Sequence, residues 1–136
     1  MKECIIDEYI TPFACKYLYI VVNPDIDKLN KRFYLVEDGK NVDMLKEEHT
    51  SYDSITVCNA KDRENNDRST ILIVHFKATD QNDLVNTVAH ESMHVVSALM
   101  YSSEIKLTDD TEECWAYTAG FVAECYWKTL NKLIDE

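Results

Sequence analysis

The spacing of apolar residues changes once along this chain, near residue 80, and that change limits the folds open to it. Before it, apolar side chains come in short β-branched and aromatic runs broken by polar turns. Lys16 to Val22 (KYLYIVV) stops at Asn23-Pro24, which predicts a strand followed by a turn. Ile55 to Asn59 and Ser69 to Phe76 (STILIVHF) flank the polar segment Ala60 to Arg68, and together they predict a β-hairpin. The second of these runs is nearly continuous in apolar residues, as a central strand requires. Phe33 to Val36 is a further apolar run, ended by Glu37-Asp38-Gly39-Lys40. Asp25 to Arg32 reads as one or two helical turns, and a short helix is expected around Val42 to Glu48.

After residue 80 the period is helical. Thr79 or Asp80 can cap a helix in which Leu84, Val85, Val88, Ala89, Val95, Val96 and Leu99 recur at helical spacing. It runs to about Met100 or Tyr101. A loop over Ser102 to Asp110 leads to a second helix, from near Thr111 to about Lys132, with Glu112 and Glu113 in its first turn. Strands first and two long helices after them predict an α+β fold. At 136 residues the chain fits one domain, 1–136, with a core that needs no disulfide.

Composition removes several functions. With 25 acidic and 14 basic residues the formal charge is −11, so a phosphate-tracking nucleic-acid surface is not expected. The five cysteines (Cys4, Cys15, Cys58, Cys114, Cys125) are odd in number and lack C-x-x-C spacing, which predicts buried free thiols rather than a disulfide framework or a cysteine metal site. The N-terminal residues Met1 to Glu8 meet acid too early for a signal peptide, and no apolar run approaches the ~20 residues of a membrane span. A cytoplasmic protein without a membrane partner is the expectation.

His90-Glu91-Ser92-Met93-His94 is H-E-x-x-H and falls mid-way along the first long helix. Residues four apart on a helix share a face, so two imidazoles at that spacing can reach one metal ion. Glu91 is rotated about 100° from His90, where it can stand beside the metal without ligating it and accept a proton from water. A helix has no other reason to carry histidines at this spacing, and function explains the pair better than chance does. A catalytic zinc (Zn2+) takes three protein ligands. Metzincins supply a third histidine in H-E-x-x-H-x-x-G-x-x-H, but Ser97 and Met100 occupy those positions here, and no histidine follows His94. A carboxylate is then required, and Glu113 and Glu112 on the second helix offer one. Ala116 and Gly120 share the Glu113 face and would let the second helix approach the first closely. Either glutamate can instead serve only the helix dipole.

In these residues, Asp80 to Trp127, the chain resembles the gluzincins, with H-E-x-x-H on one helix and a glutamate ligand on the next. The Glu113-x-x-Ala116 segment also resembles the third-ligand region of ImmA/IrrE-type peptidases and related small phage or mobile-element zincins. The likeness implies a zincin-like domain: a small antiparallel or mixed sheet, an active-site helix and a glutamate-bearing helix. It implies zinc on His90, His94 and Glu113, Glu91 as general base, and hydrolysis of a peptide or flexible protein segment, which can add to a sheet edge as a further strand. Tyr117, one turn beyond Glu113, is the first candidate to stabilise an oxyanion, ahead of Tyr101, His75 and Tyr126. His49 is expected to be an exposed loop residue, and Trp115 and Trp127 to pack. The competing accounts are a zinc-stabilised binding module without turnover and a metal-free interaction domain.

Overall fold

The computed structural model describes residues 3–12, 16–78 and 80–134. Cys15 and the alternative cap Thr79 lie outside the described residues. The chain is α+β, with a six-stranded mixed sheet. Its strands are β1 (Ile5–Ile10), β2 (Tyr17–Val22), β3 (Phe33–Glu37), β4 (Lys40–Asp43), β5 (Ser54–Asp62) and β6 (Arg68–His75), in the order β1-β2-β6-β5-β3-β4. A short helix α1 (Ile26–Arg32) precedes β3, and α2 (Gln81–Ser102) and α3 (Glu112–Ile134) follow the sheet.

β5 and β6 form the expected hairpin, and β6 is central, antiparallel to β5 and parallel to β2. The parallel pair explains the unbroken apolar runs of β2 and β6, because both of their faces are covered. Leu18, Ile20, Val22, Ile71 and Ile73 meet α2 and α3 on one face. Tyr19, Val21, Leu72 and Val74 meet Leu29, Phe33, Met44 and Leu45 on the other. Two elements depart from the sequence expectations. The helix expected over Val42 to Glu48 is instead β4, zipped against β3 by a hairpin at Asp38-Gly39, and a 3-10 turn over Glu47–Ser51. Gly39 takes φ +74° there, as a tight hairpin demands. β1 was not expected, since Asp7 and Glu8 interrupt its apolar pattern.

Both acids have distant partners. Asp7 accepts from Thr129 (2.8 Å) and Lys132 (2.7 Å) of α3, where Thr129 also meets the Tyr9 hydroxyl at 2.9 Å, and Glu8 pairs with Arg68. On the opposite face, Asp62 is fully buried and accepts from Tyr19 (2.7 Å), Asn65 (2.7 Å) and both Arg32 Nε (3.0 Å) and a terminal Arg32 nitrogen (3.1 Å).

The orientation of α3 differs from expectation. Trp115, Val122, Cys125, Tyr126 and Leu130 are buried, so helical geometry turns Glu113, Ala116, Tyr117 and Gly120 outward, not toward α2. Large apolar groups claim the interior, and the small residues are left on the solvent side. A Cβ at Gly120 would meet nothing within 4 Å. We therefore expect Gly120→Ala to stabilise the fold by about 0.5–1 kcal/mol, through the lost backbone freedom of the unfolded chain. The check is a higher urea midpoint at unchanged slope; an unchanged or lower midpoint would contradict this placement of α3.

Candidate metal centre

α2 begins where Asp80 caps it, its carboxylate accepting from the Asp83 N–H at 2.8 Å. Ten residues in, regular helix brings the two imidazoles of H-E-x-x-H together, with His90 Nε2 and His94 Nε2 3.2 Å apart. Both histidines are exposed. A zinc ion sits about 2.0–2.1 Å from imidazole nitrogen, so two nitrogens this close together could both be held by one ion. The pair thus offers two donors, one short of the three protein ligands that a catalytic zinc takes.

Glu91 points elsewhere, into the seam between α2 and β5. Only 6% of it is exposed. Thr56 Oγ1 lies 2.5 Å from Glu91 Oε2 and 3.3 Å from the Glu91 carbonyl, so its single proton goes to the carboxylate. Oε1 is left 4.0 Å from His90 Nε2, beside the imidazole pair but not bonded to it. Thr56 escaped sequence reasoning, although strand alternation carries the signal: Thr56 and Cys58 share the β5 face that α2 covers, while Ile55 and Val57 join the opposite core. The Cys58 thiol is pushed up by burial, and the Glu91 charge adds to the rise.

The sheet opens next to this seam. β3 pairs with β5 only at Phe33↔Asp62 and Tyr34↔Lys61, and β5 is bulged between Val57 and Ala60. From Ser54 to Ala60, no strand among the described residues covers the edge of β5 opposite β6. A cleft of about 650 Å³ runs along it, walled by Leu35, Met44, Tyr52, Ile55 and Val57 with His49 at its side. His49 is not the exposed loop residue expected. It is half-buried in the 3-10 turn, where its Nδ1 accepts from the Lys46 N–H at 3.0 Å and so spends its lone pair locally.

The remaining candidates lie apart from the pair. Glu113 is exposed beside Ala116, Tyr117, Gly120, Phe121 and Glu124 of its own helix, a depression that shares no residue with the surroundings of His94. Glu112 is exposed as well. Among the described residues, no three His, Cys, Asp or Glu side chains come together as metal donors. Tyr117 is 77% exposed on the Glu113 face, and Tyr101 stacks edge-on against the buried Trp115. Trp127 keeps part of its surface in solvent.

His75 and Tyr126 are buried together. Ser54 Oγ donates to the Val74 carbonyl (3.0 Å) and Tyr126 Oη donates to Ser54 (3.0 Å), so His75 Nδ1, 2.6 Å from Tyr126 Oη, must be the donor in that contact. Burial lowers the His75 pKa and raises that of Tyr126, whose rise the Glu91 charge reinforces. This chain of donors is complete in itself. The structure thus brings His90, Glu91 and His94 together, adds Thr56, and keeps Glu113 and Tyr117 on another face. The chain matches none of the protein families, curated proteins or solved structures with which it was compared.

Proposed function

We propose that the chain is a zinc-dependent hydrolase of peptidase type, with His90 and His94 as metal ligands and Glu91 as general base. The observation that carries the proposal is the 3.2 Å approach of the two Nε2 atoms with a carboxylate oxygen of Glu91 beside them. Bound there, zinc would supply Lewis acidity toward a carbonyl group. Glu91, held at one oxygen by Thr56, keeps the other free to take a proton from the attacking water and to return it to the leaving nitrogen as the peptide C–N bond breaks. Peptide substrates suit the uncovered β5 edge, whose backbone groups between Ser54 and Ala60 can pair with an extended chain alongside Thr56.

Equilibrium dialysis against micromolar free zinc tests the ligand assignment. We expect one zinc per chain, lost in His90→Ala and in His94→Ala, and retained in Glu113→Gln, because Glu113 faces away from the pair. Metal-free protein under these conditions would end the proposal. Loss of zinc in Glu113→Gln would instead restore the gluzincin ligand set, with the first turn of α3 reoriented by the metal. A zinc-held binding module without turnover is the second reading. It gains if zinc binds and a broad peptide library remains uncut.

A further inference from the structure

A second cavity, of about 430 Å³, has His94 in its wall. Its polar wall consists of Lys16, Cys58, Asn59, His94, Ser97 and Ser102, and its remaining lining is apolar. No carboxylate lines it, although the chain carries 25 acids against 14 bases. Lys16 forms no ion pair among the described residues. Among the described residues, then, Lys16 is the one Lys or Arg in the lining and has no carboxylate partner, in a chain whose net charge is −11. Around it are neutral donors: the Asn59 amide at the β5 bulge and the Ser97 hydroxyl.

We propose that this cavity binds a carboxylate carried by the ligand that lies along β5. This deepens the hydrolase reading and rests on it for the position of the carboxylate relative to the cleaved bond. One cation with neutral donors matches a single negative charge, whereas a phosphate dianion calls for more cations than Lys16. The sheet supplies a second reason. β3 resumes pairing at Tyr34↔Lys61, so the free edge closes immediately beyond Asn59 and Ala60. A chain added to that edge must end or turn away near Asn59, which lines the cavity. The carboxylate is then either a chain terminus or an Asp or Glu side chain next to the turn.

The test is an NMR titration of the 136-residue, metal-free chain at about pH 8, where free imidazole is neutral. Three probes are used: N-acetyl-alanine for a terminal carboxylate, the α-amide of N-acetyl-aspartate for a side-chain carboxylate, and uncharged N-acetyl-alaninamide. We expect saturable shifts of the Asn59 side-chain amide and the Ser97 N–H with at least one carboxylate, and none with the uncharged amide. Whichever acid responds identifies the source. Lys16→Met should weaken that binding by roughly fivefold or more, while Lys28→Met, on the exposed side of α1, leaves it unchanged. Equal shifts with the uncharged amide, no saturation with either acid, or full binding by a folded Lys16→Met chain would each overturn the proposal. A chain that takes up the carboxylate but never zinc would remove the hydrolase reading alone. One that holds zinc and ignores both acids would remove the subsite alone.

Discussion

Exchange of Glu91 for Gln is expected to lower peptide hydrolysis by at least about a hundredfold while zinc content stays at the wild-type level. The amide keeps the size of the side chain and can still accept from Thr56 through its carbonyl oxygen, so the α2–β5 seam survives. What it loses is a basic oxygen next to the imidazole pair, 4.0 Å from His90 Nε2 in the native chain. General bases contribute about 10²–10⁴ in rate, which sets the size of the expected fall. Peptide fragments measured by mass spectrometry, with metal measured on the same samples, decide the matter. Undiminished cleavage by the variant would remove Glu91 from the mechanism, and loss of zinc with loss of cleavage would make it a ligand or a structural support.

The largest effect on stability is expected at Asp62. Burial alone would push its carboxyl pKa up, but hydrogen bonds from Arg32, Asn65 and Tyr19 outweigh burial and hold it at about 2. Asp62→Ala leaves the Arg32 guanidinium without its main partner and the Tyr19 hydroxyl without an acceptor, at a cost of about 3–5 kcal/mol. That is a large share of the 5–15 kcal/mol typical of a domain. The same group dictates an acid response. Because its folded pKa lies below the ordinary 3.8, its contribution is complete above about pH 4 and is lost as pH falls through about 2. The amount is roughly 2 kcal/mol. Urea midpoints of wild type and Asp62→Asn should therefore converge as the solution is acidified. Parallel curves down to pH 2 would show that the network stabilises nothing through charge.

Much of the fold is legible in the sequence, because its signals are local. The runs in β2, β5 and β6 and the helical spacing of α2 and α3 each lie within one element, and they yielded the α+β class and a central β6. What escaped depends on residues far apart in sequence. β1 looked unlike a strand because the partners that satisfy Asp7 and Glu8 are on α3 and β6. β4 is a strand only by virtue of pairing with β3. The site divides in the same way. His90, Glu91 and His94 are set by one helix and could be read from spacing. Placing Glu113 required knowing which face of α3 turns inward, and the spacing of Ala116 and Gly120 suggested the wrong one because small residues suit close contact and open solvent equally. Thr56 became visible only once the register of β5 was fixed.

The tie between β1 and α3 governs how this protein can be made. Tyr9 and Asp7 find their α3 partners 120 to 125 residues later in the chain. At a ribosomal rate of about 5–20 residues per second, the first strand waits on the order of ten seconds for the helix that covers it. During that interval its isoleucines are open to holdase chaperones and to strand exchange with neighbouring nascent chains.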